Sequence, residues 1–289
     1  MSTRTVLIAG CGDIGGRLAR RLMTEGWQVY GLRRTVSNLP EGVLGIAADL
    51  HDEKCPNGWP TGNIDYLVYC VAATEHDETG YRAAYVDGLR HGLKWLDQHG
   101  QRPRRLFFVS SSSVYGQSRG EWVDETSLTT PSGYAGRVML EAEQVARTSG
   151  MPATVVRLTG IYGPGRERLI GQVRQGYRVA EQPPLYGNRI HADDAAGLLA
   201  FLLSLDAQGE ALEGCYIGVD DCPAPLAEVV AWLRGRLGVT QWSESERVRR
   251  TGSKRCSNAR ARTLGWKPDY SSYREGYEAL LEAEARRLE

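Results

Sequence analysis

Over the first two thirds of the chain, short unbroken apolar runs alternate with longer stretches whose apolar residues recur every three or four positions. Val6, Leu7, Ile8 and Ala9 form the first run, and the pattern RLARRLMTEGW at residues 17–27 is helical. Residues 28–32 predict a second strand, 43–48 a third and 65–72 (DYLVYCVA) a fourth. A helix is expected over 80–99, a fifth strand over 105–110, a helix over 134–148 and a sixth strand over 153–158. Runs that are apolar throughout belong to strands covered on both faces, and strands separated by helices pair in parallel. The pattern predicts an α/β domain with a doubly wound parallel sheet.

From Gly160 onward the text changes. Pro and Gly become frequent (IYGPG, QPPLYGN, DDCPAP) and the segments shorten. We read residues 1–159 as the main domain, with 191–214 returning to it, and 160–190 with 215–289 as a small C-terminal lobe. In the helix expected at 225–237, Leu226, Val229, Val230 and Leu233 have core spacing, and Trp232 reads as packing. The longest apolar run, residues 195–205, is too short to span a bilayer.

Composition removes several function classes. In 289 residues, 35 basic and 35 acidic side chains cancel, so no basic field is present for nucleic acid or a membrane surface. Cys11, Cys55, Cys70, Cys215, Cys222 and Cys256 lack the spacing of metal ligands or of a disulfide framework. No metal is expected. The apolar first strand begins within a few residues of Met1, no secretory leader is read there, and a reduced, cytoplasmic setting is expected.

Candidate chemistry begins where the first strand ends. Gly10-Cys11-Gly12-Asp13-Ile14-Gly15 spells G-x-G-x-x-G between a strand and a helix. That string is weak alone, but in this context it places a dinucleotide pyrophosphate on helix N-terminal amides, in a Rossmann fold. Gly10 lets the chain turn, Gly12 lets backbone approach phosphate, and Gly15 lets the helix pack on the strand. Asp13 is expected to face outward, away from the phosphates, and Cys11 reads as a small apolar filler. An NAD-selective site carries an acidic residue about 20 positions further on. Here the second strand ends in Arg33-Arg34, two guanidiniums suited to a 2′-phosphate, so NADP is favoured over NAD.

Further strings fall in order along the chain. Val109-Ser110-Ser111-Ser112-Ser113-Val114-Tyr115-Gly116 closes the fifth strand, and Pro131-Ser132-Gly133-Tyr134 opens the next helix. Ile161-Tyr162-Gly163-Pro164-Gly165, Arg189-Ile190-His191-Ala192-Asp193-Asp194 and Leu264-Gly265-Trp266-Lys267-Pro268 follow. Ser111 lies at the carboxyl end of a buried strand, where open α/β sheets place ligands. Tyr115 is read equally as pocket lining or packing, His191 as a structural loop histidine, and Asp193 as the cap of the next helix.

In this order the strings resemble the extended short-chain dehydrogenase/reductases, the NAD-dependent epimerase/dehydratase family, over essentially the whole chain. The resemblance implies a Rossmann fold with a small C-terminal lobe that binds substrate, that Asp49-Leu50 lies beside the adenine, that Ala72-Ala73 lines the cofactor, that Ser111 contacts the reacting oxygen and that Tyr134 is the active tyrosine. It also implies a homodimer through helices 80–99 and 134–148.

The departures are specific. The family's Tyr-x-x-x-Lys reads Tyr134-Ala135-Gly136-Arg137-Val138 here, with Met139 next, so the lysine is missing. The family's Asn in the helix after strand four is Tyr85, and the first glycine of the extended glycine motif is Ala9. A nearby cation lowers a phenol's pKa by about 1–3 units, so its loss removes roughly 1–4 kcal/mol of bias toward phenolate. Arg137, the one cation close in sequence, projects from a neighbouring position around the helix. Two readings remain open at this point: an NADP(H)-binding oxidoreductase or epimerase acting on a small hydroxylated substrate such as a nucleotide sugar, and a dinucleotide-binding sensor or interaction protein without turnover.

Overall fold

The computed structural model describes residues 3–243 and 252–288. In chain order its first half contains β1 (Thr5–Ala9), α1 (Asp13–Thr24), β2 (Gln28–Arg33), β3 (Leu44–Ala47), β4 (Tyr66–Tyr69), α2 (Glu78–Arg82), α3 (Gly88–Gln98), β5 (Arg105–Ser111), β6 (Arg119–Val123) and α4 (Tyr134–Arg147). The second half contains β7 (Ala153–Leu158), β8 (Gly160–Tyr162), α5 (Arg168–Arg174), β9 (Tyr186–Gly187), β10 (Arg189–His191), α6 (Ala192–Gln208) and β11 (Cys215–Gly218). It closes with β12 (Ala224–Pro225), α7 (Leu226–Leu237), β13 (Ser253–Cys256), α8 (Ala259–Thr263) and α9 (Tyr273–Leu288).

Seven strands form the central parallel sheet in the order β11-β7-β5-β4-β1-β2-β3. The chain order reverses between β1 and β4, and that switch point, at the carboxyl ends of the strands, is where such sheets open a crevice. β1 is buried at all five positions, as an unbroken apolar run demands, with Ile8 beside Gly31 of β2 and Val68 of β4. α1 covers the sheet with Ile14, Leu18, Ala19 and Leu22.

The chain divides into two compact units. The first comprises Met1–Val114, Pro131–Arg157 and Ala196–Tyr216; the second comprises Tyr115–Thr130, Leu158–Ala195 and Ile217–Glu289. This differs from the sequence-based boundaries at residues 115–130, 158–159 and 191–195, which join the second unit. It differs also at β11, expected within the lobe but forming the edge strand of the central sheet. The second unit carries three two-stranded ladders, β6 with β13, β8 with β10, and β9 with β12. Its core joins α5, α7 and α9 through Val173, Val229, Leu233 and Tyr277, and Trp232 packs edge-on against Tyr273.

Three local expectations are corrected. The fourth strand ends at Tyr69 rather than residue 72. The helix expected over 80–99 starts at Glu78 and is interrupted by a π turn, Ala83–Asp87. Buried Tyr69 causes this, because its hydroxyl donates to the Ala84 carbonyl at 2.5 Å and so intrudes on the helical ladder. Asp193 is not the cap of α6. It lies inside the first turn, and its own amide donates to Nδ1 of the buried His191 ring at 3.3 Å.

Candidate functional site

All the residues singled out for cofactor and catalysis lie in the first unit. At the end of β1 the three motif glycines have different steric reasons for being glycine. Gly10 adopts φ +87°, and a Cβ there would stand 2.5 Å from the Cys70 carbonyl oxygen at the end of β4. A Cβ on Gly15 would stand 2.5 Å from the Gly10 carbonyl oxygen. A Cβ on Gly12 would meet nothing within 4 Å. The protein's own packing thus excludes side chains at the first and third glycines and leaves open space at the second, where a ligand's phosphates fit.

Gly12 is also the N-cap of α1, and no side chain caps that helix. Its first-turn amides have no intrahelical acceptors, the arrangement that holds an anion. Asp13 is exposed and takes the Arg17 Nε–H at 2.8 Å, so its carboxylate is spent on its own helix. Ile14 and Cys11 are buried. Burial pushes the Cys11 thiol up to about 11 against the pull of Arg33 and Arg20, so it stays protonated at neutral pH.

The two arginines after the glycine loop separate. Arg33 folds back, donating to the carbonyls of Cys11 at 3.4 Å and Asn38 at 3.2 Å. Arg34 is exposed and lines a cleft of about 400 Å³ with Ala47, Ala48, Asp49 and Lys54. Of the pair, Arg34 therefore faces that cleft, and Lys54, which the sequence pattern did not single out, faces it too. Asp49 accepts the His51 amide at 3.0 Å, while Leu50 is buried and its carbonyl lies 2.7 Å from the His91 ring. Ala72 is exposed in the loop after β4, and the next residue, Ala73, donates its amide to the Tyr85 hydroxyl at 3.3 Å.

The second corner of the site is built where β5 meets α4. Ser111 Oγ accepts the Ser113 amide at 3.1 Å, which leaves its own proton available to a ligand oxygen. α4 lies directly on this turn: a Cβ at Gly136 would be 2.4 Å from the Ser113 carbonyl oxygen. Below the turn, Ser110 donates to buried Glu143 at 2.7 Å, and Arg157 grips the same carboxylate at 2.9 and 2.7 Å. Burial opposes ionisation of Glu143, but the Arg157 hydrogen bonds and charge, with Ser110 and Arg147, hold its carboxyl below the usual range. This network ties β5, β7 and α4 together beneath Ser111.

Tyr134 opens α4 and is half-buried. Its hydroxyl donates to the His76 carbonyl, and its ring stands edge-on to Tyr81 with centroids 5.5 Å apart. Val138, where the family carries lysine, is 2% exposed and belongs to the core. Arg137 does not stand in for it, because its guanidinium donates to the Ser132 carbonyl at 3.1 Å and pairs with Glu78 at 3.8 Å. Tyr115 is buried, and its hydroxyl donates to the Asp124 carbonyl at 2.8 Å, which assigns it to packing. Among the described residues no cluster of His, Cys, Asp and Glu could hold a metal ion, and no helix is long and apolar enough to cross a membrane.

The first corner fits a dinucleotide by its open glycine and uncapped helix. The second offers a hydroxyl, Ser111, and a phenol that already donates to a carbonyl oxygen. Comparison with known proteins points the same way. The sequence model of the NAD-dependent epimerase/dehydratase family matches residues 6–217. A solved structure from Methylobacillus flagellatus, assigned to the NAD-dependent epimerases/dehydratases, is 36% identical with a TM-score of 0.82, covering 98% of this chain and 100% of that one. The 3-diazoavenalumate denitrifying reductase of a Streptomyces species is 28% identical over 306 residues, 94% of this chain and 98% of the reductase. MoeE5, solved in complex with UDP-glucose and NAD, shares the fold at 24% identity and TM-score 0.77, covering 99% of this chain and 100% of MoeE5.

Proposed function

The chain belongs to the NAD-dependent epimerase/dehydratase family, and we propose that it is an NADP(H)-dependent oxidoreductase that reduces a carbonyl on a small hydroxylated substrate. The observation that carries this reading is the hydroxyl of Tyr134 donating to a carbonyl oxygen, with valine in place of the cation that would favour phenolate. A phenolic hydroxyl can give a proton to an oxygen, the role that carbonyl reduction needs. The Gly10–Gly15 loop would hold the pyrophosphate, Arg34 the 2′-phosphate and Asp49 and Leu50 the adenine, with Ala72 lining the cofactor. NADP(H), when bound, supplies the hydride. Ser111 donates a hydrogen bond to the substrate carbonyl oxygen, and Tyr134 delivers the proton to that oxygen as it becomes the alcohol.

The Streptomyces relative, named as a reductase, supports the direction, and MoeE5, solved with UDP-glucose, supports a nucleotide sugar as the substrate class. The dimer we propose pairs α2–α3 and α4 with their copies in a second chain. A second reading, a dinucleotide sensor without turnover, is favoured by Val138 and Tyr85 in the lysine and asparagine positions. Incubation with 4-deuterated NADPH and a panel of sugar-nucleotide and small carbonyl substrates separates the two. Deuterium in a product, lost in Tyr134→Phe while NADPH still binds, supports the reductase. A stoichiometrically bound cofactor that no substrate oxidises overturns it in favour of the sensor.

A further inference from the structure

The loss of the lysine leaves open how Tyr134 is aimed. In place of a cation, the structure puts a file of aromatic rings against it. Tyr81 stands edge-on to Tyr134 at 5.5 Å with the planes 89° apart, and Tyr85 lies against Tyr81 in turn, tilted, at 5.3 Å. Edge-to-face rings at such separations attract through their quadrupoles and fix one another's orientation. Tyr81 and Tyr85 are four residues apart and meet because the chain between them is helical, the π turn carrying Tyr85.

The far end of the file is anchored in the loop after β4. The Tyr85 hydroxyl receives the Ala73 amide at 3.3 Å, and the same loop offers the His76 carbonyl to the Tyr134 hydroxyl. Tyr81 also touches the His76 ring at 6.4 Å. The loop is therefore held twice, at Ala73 by Tyr85 and at His76 by Tyr134, with Tyr81 between the two phenols. Burial raises the pKa of both Tyr81 and Tyr85, so both stay neutral and contribute rings and hydroxyls rather than charge.

We propose that Tyr81 and Tyr85 are positioning residues that do the orienting work of the absent lysine. Tyr81 fixes the ring of Tyr134 by edge-on packing, and Tyr85 fixes the cofactor-facing loop through its hydroxyl. This rests on the reductase reading for its kinetic consequences and on geometry alone for its structural ones. It divides the labour in a way that a merely structural role does not. The hydroxyl matters at Tyr85 and the ring matters at Tyr81.

Three variants test it. Tyr85→Phe keeps the ring and removes the bond to Ala73; NADPH affinity by calorimetry is expected to fall about fivefold, with kcat at saturating cofactor within about twofold. Tyr81→Leu is expected to leave NADPH affinity within about twofold and substrate KM within about threefold while lowering kcat about tenfold, and Tyr81→Phe to restore kcat to within about threefold of wild type. Equal losses in Tyr81→Leu and Tyr81→Phe, or unchanged NADPH affinity in Tyr85→Phe, overturn the proposal. Where the wild-type protein turns nothing over, the reductase reading has failed and this one is still decided. In protein labelled with ring-13C tyrosine, Tyr81→Leu must shift the Tyr134 ring signals and Tyr81→Phe must not. Tyr134 signals unmoved by Tyr81→Leu contradict it.

Discussion

Two helix N-termini of the first unit open the two corners of the candidate site, and they are built on different principles. α1 starts at Gly12 and α4 at Gly133, and neither has a side-chain cap. At α1 the work falls to backbone: a turn that only glycine can make, a close approach to β4 and amides aimed outward. At α4 it falls to side chains: Tyr134 is placed by Tyr81 and the His76 carbonyl, and the helix beneath it is clamped by Glu143 to Ser110 and Arg157. The backbone corner keeps the three glycines of G-x-G-x-x-G, while at the side-chain corner Val138 is buried in the core and the Tyr81 ring stands against Tyr134. A site made of backbone tolerates little variation, because a side chain at Gly10 or Gly15 meets main chain and one at Gly12 fills the space left for a ligand. A site made of side chains can change partners.

The contrast can be broken first at its most buried point. Glu143→Ala removes the buried carboxylate that Arg157 and Ser110 hold, and urea unfolding should show a loss of about 3–5 kcal/mol. Because Glu143 is held below its ordinary value of 4.5, its contribution is present above that pH and is lost as pH falls through the lower folded value. The gap between variant and wild type should therefore narrow on acidification below about pH 4. Next in size is Val138→Lys, which returns the family residue to a position now in the core. It should cost about 2–3 kcal/mol in the same assay and not raise turnover, since the ammonium has no solvated place to go.

The backbone corner is sharpened by smaller changes. Gly12→Ala should unfold within about 0.5 kcal/mol of wild type, since its Cβ meets nothing, yet bind NADPH about 30-fold more weakly by calorimetry, or about 2 kcal/mol. Arg34→Ala should weaken NADPH about tenfold and leave NADH unchanged. An equal effect on both cofactors contradicts the 2′-phosphate assignment.

The same contrast explains what was legible in the sequence. Gly10, Gly12 and Gly15 act within six residues, between a strand and a helix that periodicity already marks, so their geometry could be read locally. Six of the seven strands of the central sheet are likewise visible as apolar runs. Tyr81 and Tyr85 were not legible as partners of Tyr134, because no spacing rule joins residues about fifty positions apart. The π turn that carries Tyr85 is imposed by Tyr69, a tertiary contact invisible to helical periodicity. β13 (SKRC) is mostly polar and pairs with β6 through main chain, so its pattern carries no strand signal. The sequence pattern assigns residues 215–218 to the lobe because a four-residue strand after a long helix does not announce which sheet it joins.

The most direct test is a calorimetric titration of the wild-type protein with NADPH. One binding site per chain, abolished or strongly weakened when the same titration is run on Gly12→Ala at equal thermal stability, is the expected result. Absence of binding heat in wild-type protein with NADPH and with NADH alike, or binding that is indifferent to the residue at position 12, contradicts the claim that this loop holds a nicotinamide dinucleotide.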